Sequence, residues 1–177
     1  VHAYVMNWQG ETPARIQVHT VPSKGLTNIS RYKNYTDWIE KEFKINDPGV
    51  VVGFARMPGT DLHFAADPCF LEKAHKQRSA WYRFGPRYRH FKQYEEAVFS
   101  SSSKTQVLIL SPQQRAAFTR YYPDSEDRLH DLPPGINRDR SANCYSVEER
   151  QEMRENIRAE LGLNSDDTLL LQIGSGF

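Results

Sequence analysis

The sequence predicts an α/β fold, a Rossmann-like parallel sheet with helices on both faces. Three observations carry that expectation. Short apolar, β-branched runs recur at 1–6, 16–21, 50–54, 62–66, 105–110 and 168–173. Stretches with helical spacing or helix caps separate most of them. Each run ends in a polar or proline-bearing loop. Strands alternating with helices build parallel sheets, and polar loops at strand ends line a ligand crevice at the carboxyl edge.

The elements follow in order. The run at 1–6 reads as a strand, and the alternating Ile16-Gln17-Val18-His19-Thr20-Val21 reads as another, stopped by Pro22. Asn28 or Ser30 caps a helix whose Tyr32, Tyr35, Trp38, Ile39 and Phe43 recur every three or four residues. Asp47-Pro48-Gly49 turns into a buried strand, Val50-Val51-Val52-Gly53-Phe54, and a second one runs from Leu62 to Asp67-Pro68. Two helices follow, at 70–77 and 86–101, the second with Pro86 in its first turn. Trp81, Tyr82 and Phe84 stand in a loop between them. On the second helix, Tyr88, Phe91, Glu95 and Val98 share an inward side, while Arg83, Arg87 and His90 follow another. The strand at 105–110 leads to Ser111, a cap with Pro112 behind it and Gln114 three residues on. A short strand covers 128–132, and Pro133-Pro134-Gly135 stops regular structure. Ser146 and Glu149 make a capping box for a helix that Gly162 ends. A strand at 168–173 then runs into Gly174-Ser175.

Composition narrows the function. No apolar run approaches the roughly 20 residues of a membrane span. Cys69 and Cys144 suffice neither for a disulfide framework nor for a metal set. The six histidines lack ligand spacing, and no Asp-x-Asp pair is present, so no metal is expected. The net charge of +1 hides an asymmetry. Between Leu71 and Glu96 seven cations (Lys73, Lys76, Arg78, Arg83, Arg87, Arg89, Lys92) face three glutamates, and six aromatics including Trp81 are interleaved. Cations beside amphipathic aromatics suit an anionic lipid surface. A solvated helix face is the plain alternative. A nucleic-acid patch is a rival, but no groove-reading or base-stacking motif accompanies it, so no nucleic-acid partner is expected.

Three places carry candidate chemistry. Asp67 stands at a strand's carboxyl end and reads from the residues as a turn-former or as the N-cap of the next helix. In Met57-Pro58-Gly59-Thr60-Asp61, Gly59 permits close backbone approach and Asp61 accepts hydroxyl hydrogen bonds, or the loop is an ordinary turn. Gly174 and Ser175 offer backbone N–H groups to phosphate, a weak motif alone.

Several runs add a resemblance. Val51-Val52-Gly53-Phe54, Met57-Pro58-Gly59, Phe64-Ala65-Ala66-Asp67, Tyr88-Arg89-His90, Leu132-Pro133-Pro134-Gly135-Ile136 and 169–175 stand in the order found in the lipopolysaccharide core glucosyltransferase I family of Gram-negative bacteria. These are retaining GT-B glycosyltransferases of family four, and the chain resembles them over nearly its whole length. The resemblance implies most of an N-terminal, acceptor-side domain over 1–136, without its first strand and glycine-rich loop. It implies an interdomain crossing and the start of a donor domain over 137–177. Val1, with neither initiator Met nor basic leader before it, then reads as an interior boundary of a longer enzyme. The implied reaction moves glucose from UDP-glucose to an inner-core heptose of lipopolysaccharide, with retention. Asp67 would be the catalytic, orienting carboxylate. Met57, Gly59 and Asp61 would meet the acceptor, and Gly174 and Ser175 the donor diphosphate. The basic aromatic stretch would dock on anionic lipids at the cytoplasmic face of the inner membrane. Another family-four transferase with a different sugar, and a non-catalytic anionic-surface-binding α/β module, are the alternatives.

Overall fold

The computed structural model describes residues 1–133, 135, 145–164 and 166–170. The chain divides into two compact units, Val1–Pro133 and Pro134–Phe177. In the first unit, β1 (His2–Val5) pairs in parallel with β2 (Gln17–Thr20), placing His2 opposite Gln17 and Val5 opposite Thr20. A second, wholly parallel sheet runs in the order β3 (Val52–Gly53), β4 (Leu62–Phe64), β5 (Gln106–Ile109), β6 (Leu129–Asp131). The helices of this unit are α1 (Asn28–Ile45), α2 (Phe70–Gln77), α3 (Pro86–Phe99) and α4 (Pro112–Tyr121). The expected parallel α/β architecture is observed.

The strand expected at 50–54 shrinks to two residues, and Val50 and Phe54 stand 75% and 71% exposed rather than buried. The crossover explains part of this. Parallel strands are usually joined by a dozen or more residues with a helix. Here residues 54–61 return the chain without one, which suffices because the strands they join are so short. The loop turns at Gly59, where φ is +80°. It then presses on β3 so closely that a Cβ on Gly53 would lie 2.6 Å from the Thr60 methyl. Asp61 ends the loop by accepting the Val51 N–H at 2.8 Å.

Thr27, not Asn28 or Ser30, caps α1. Its hydroxyl accepts the Ser30 N–H at 3.1 Å, and Ser30 answers by accepting the Thr27 N–H at 3.1 Å. Ser30 therefore belongs to the box, but three residues inside it. The Tyr35 hydroxyl then ties α1 to β1 through the Tyr4 carbonyl at 2.8 Å. The Thr36 hydroxyl ties it to Tyr94 of α3 at 2.6 Å.

The main core gathers the inward residues of β5, α3 and α4. Phe99 and Phe118 are fully buried and stack with centroids 3.9 Å apart. Each such side chain contributes about 1.5–3 kcal/mol. Arg128, just before β6, serves the carboxyl end of α3. Its guanidinium donates to the carbonyls of Val98, Phe99 and Ser100 and to Thr105, at 2.7 to 3.1 Å. The first three are orphan carbonyls of the α3 end, and a cation there also suits the helix dipole.

Trp81, Tyr82 and Phe84 lie in a 3-10 helix, Ala80–Phe84, rather than in a loop. His90 does not join Arg83 and Arg87 on an exposed side. It is 8% exposed, with its ring centroid 4.3 Å from that of Tyr94.

In the second unit, α5 (Val147–Glu160) carries the expected capping box. The Ser146 hydroxyl accepts the Glu149 N–H at 3.1 Å, and the Glu149 carboxylate accepts the Ser146 N–H at 2.7 Å. Gly162 closes the helix, its N–H on the Ala159 carbonyl at 3.1 Å. Of the strand expected at 168–173, residues 168–170 show no strand pairing, and 171–173 lie outside the described residues. The crossing at 137–143, Cys144, Gly174 and Ser175 lie outside them as well.

Candidate functional site

Because β3 to β6 run in parallel, their carboxyl ends share one edge. Asp67 stands there, just past β4, exposed. Its carboxylate makes no hydrogen bond among the described residues. It is also not the cap of α2. The N-cap position is Cys69, which caps with no side-chain hydrogen bond.

The capping group comes from α3, and sequence reasoning did not single it out. The Glu95 carboxylate, 0% exposed, accepts the Phe70 N–H at 2.6 Å and the Leu71 N–H at 3.0 Å. It also accepts the Tyr122 hydroxyl at 3.1 Å and lies 3.4 Å from Arg56 Nη1. A carboxylate on the first N–H groups of a helix satisfies orphan donors and meets the positive end of the dipole. Burial pushes the Glu95 carboxyl up, while Arg56, the two N–H groups and Tyr122 pull it down. The same burial, with Glu95 nearby, pushes the Cys69 thiol up to about 12 and raises Tyr122, so Cys69 is no nucleophile.

Arg56 leaves the loop after β3 and crosses this edge. Its Nη2 donates to the carbonyls of Asp67 at 3.1 Å and Pro68 at 2.5 Å. Gln114, in the first turn of α4, donates to Ala65 O at 2.5 Å and Asp67 O at 3.0 Å. Its Oε1 accepts the Leu110 N–H at 2.9 Å rather than closing a capping box with Ser111. A cleft of about 340 Å³ opens beside Asp67, lined by Ala66, Pro68, Glu72, Leu110, Gln113 and Gln114 among others.

His63 sits within β4, 2% exposed, its Nδ1–H on the Gly53 carbonyl at 3.1 Å. Burial, and then the Arg56 cation, depress its pKa to about 4. In the unfolded chain it returns to about 6.5. The folded state therefore binds fewer protons than the unfolded one between these values. Stability present above pH 6.5 is lost as pH falls toward 4, by about 3 kcal/mol from this group. Urea midpoints between pH 7 and 4.5 should fall less steeply for His63→Gln than for the parent. Parallel profiles would show that His63 does not drive the loss.

Met57, Gly59 and Asp61 are not brought to Asp67. Met57 is buried against Val21 and Ile39. Gly59 and Asp61 line a larger cleft, about 490 Å³, at the amino ends of β4 and β5. Asp61 spends its carboxylate on Val51, as above. The smaller cleft is the better candidate, because parallel sheets bind ligands at carboxyl ends and Ala66 and Pro68, on either side of Asp67, line it.

The basic stretch is sorted by pairing. Lys76 pairs with Glu72 at 2.8 Å and Lys92 with Glu96 at 2.9 Å. Arg78 lies over Tyr82 and Arg87 over Phe91, at 5.8 and 5.4 Å. Lys73, Arg78, Arg83, Arg87 and Arg89 are exposed and take part in no ion pair among the described residues. Trp81 and Phe84 stand beside Arg83, 82% and 73% exposed, with centroids 6.0 Å apart. Among the described residues no helix is long and apolar enough to cross a membrane.

The fold, parallel sheets flanked by helices, matches part of the N-terminal domain of a GT-B fold. Over all 177 residues the chain is 37% identical to the lipopolysaccharide glucosyltransferase WaaG of Escherichia coli strain K12. It also superposes on a crystal structure of WaaG, a glycosyltransferase involved in lipopolysaccharide biosynthesis, with a TM-score of 0.82. That match has 35% identity over 98% of this chain. In both comparisons the chain spans 46% of the relative's length. No family model matches it. The resemblance to the lipopolysaccharide core glucosyltransferases is thereby borne out.

Proposed function

We propose that the chain is the acceptor-side half of a glycosyltransferase of lipopolysaccharide synthesis, moving glucose from UDP-glucose to an inner-core heptose with retention. The observation that carries this reading is Asp67, an unpaired carboxylate on a pinned turn at the carboxyl edge, in a chain similar throughout to WaaG. In the proposed reaction Asp67 orients the acceptor hydroxyl and balances charge as the nucleotide diphosphate departs. The cleft beside it holds the acceptor sugar. Gly174 and Ser175 present main-chain donors to the diphosphate, and no metal takes part, in keeping with a sequence without an Asp-x-Asp pair. A family-four transferase with another sugar or acceptor would use the same parts.

Glucose transfer to heptose-terminated lipopolysaccharide tests this. The full-length protein should transfer, and these 177 residues alone should not, since by this reading the donor wall lies mostly outside them. Turnover by the 177 residues alone would overturn the division of labour. No transfer by the full-length protein from any nucleotide sugar would overturn the reading.

The acceptor's lipid anchor suggests a peripheral position on the cytoplasmic face of the inner membrane, reached through the basic aromatic surface. Each cation near an anionic surface is worth about 1 kcal/mol, screened as salt rises. Vesicles containing phosphatidylglycerol or cardiolipin should therefore bind the protein, and neutral phosphatidylcholine should not. Because Lys92 is paired, the informative variant is Arg83, Arg87 and Arg89 to Gln together, which should remove most binding. Trp81→Ala should leave weaker, more salt-sensitive binding. Equal binding to both vesicle types would reduce these cations to a solvated face.

A further inference from the structure

The turn that carries Asp67 is held almost wholly by side chains from elsewhere in the fold. The carbonyls of residues 65, 67 and 68 are taken by Gln114 and Arg56, and the N–H groups of residues 70 and 71 by Glu95. Those three side chains come from α4, the loop after β3, and α3. Asp67 itself has no side-chain hydrogen bond among the described residues, so the peptide units around it set its direction. The arrangement is costly. Glu95 is 0% and Arg56 13% exposed, and burying such a pair rarely adds stability over apolar packing. What it supplies is fixed geometry: a planar guanidinium that meets two carbonyls and a carboxylate at once.

We propose that Arg56, held by Glu95, and Gln114 are positioning residues that fix the turn presenting Asp67 at the carboxyl edge, between Ala66 and Pro68 of the cleft wall. The inference rests on the catalytic reading of Asp67. A displacement of about 1 Å can cost up to 10²-fold in rate, so loosening the turn lowers kcat through Asp67 alone.

A double-mutant cycle in the full-length transferase tests it, with glucose transfer as the readout. Gln114→Met removes both amide donors at similar length, and Arg56→Gln removes the two-carbonyl bridge. Each should lower kcat about tenfold with donor KM unchanged, and Arg56→Lys, which keeps the charge but cannot meet two carbonyls and a carboxylate at once, should lower it by a similar factor. In the Asp67→Ala background neither substitution should lower kcat further. An equal loss in both backgrounds would overturn the proposal, because the residues would then act on the whole fold. So would an unchanged kcat in the single variants while Asp67→Ala alone is impaired. An Asp67→Ala protein with normal kcat would instead refute the role of Asp67, and the clamp would have nothing to aim. Should Arg56→Gln fail to fold, Gln114→Met carries the cycle alone.

Discussion

Replacing Asp67 by alanine should lower transfer by the full-length protein about 10²-fold or more and leave its thermal midpoint almost unchanged. Both halves of that expectation come from the same geometry. The Asp67 side chain is exposed and makes no hydrogen bond among the described residues, so its loss leaves no buried group unsatisfied. The cap of α2 is supplied by Glu95, so the helix keeps its N-terminal partner. What disappears is a charge at the edge where the acceptor is proposed to sit. A fallen midpoint with normal activity per folded molecule would mean that Asp67 acts on stability after all.

Glu95→Leu should produce the opposite pattern, a loss of about 3–5 kcal/mol in stability. The substitution strips partners from the N–H groups of Phe70 and Leu71, from the Tyr122 hydroxyl and from the Arg56 guanidinium. Buried polar groups left unmet cost about 1–3 kcal/mol each before relaxation. Glu95→Gln keeps one carbonyl oxygen for the helix N-terminus and should cost clearly less. Urea unfolding of the three proteins at neutral pH gives the comparison. Equal stability of parent and leucine variant would show that the buried pair is replaceable by packing. Since domains have only about 5–15 kcal/mol in hand, the leucine variant sits near the limit of folding, and the glutamine variant keeps the order measurable.

The strands at 1–6, 16–21, 62–66, 105–110 and 128–132, α2 and the Ser111 and Ser146 caps were legible because each depends on neighbours in sequence. Pro112 behind Ser111 and Glu149 three residues after Ser146 are local signals. The cap of α1 fell one residue earlier than expected because Thr27 and Ser30 are both competent, and only the backbone at Thr27 is extended. Asp67 was legible as a carboxylate at a strand end, and its proposed role came through resemblance. What holds it was not legible. Glu95 is 24 and 25 residues from the N–H groups it accepts, and Gln114 is 47 from the Asp67 carbonyl. In sequence Glu95 shared the inward side of α3 with Tyr88, Phe91 and Val98, and a buried charge was the only clue to a partner. The loop at 57–61 runs from the carboxyl end of β3 to the amino end of β4, and its place away from Asp67 follows from that crossover.

By the proposed reading, this half of the molecule meets the acceptor sugar at the carboxyl edge. The most direct measurement is a backbone amide NMR titration of the 177-residue protein with a heptose-terminated inner-core oligosaccharide and, separately, with UDP. The oligosaccharide should shift the amides of Ala66, Asp67, Gln113 and Gln114, and UDP should leave them in place. Shifts confined to Gly59, Asp61 and Gln106 at the amino edge, or shifts of the Asp67 turn by UDP alone, would contradict it.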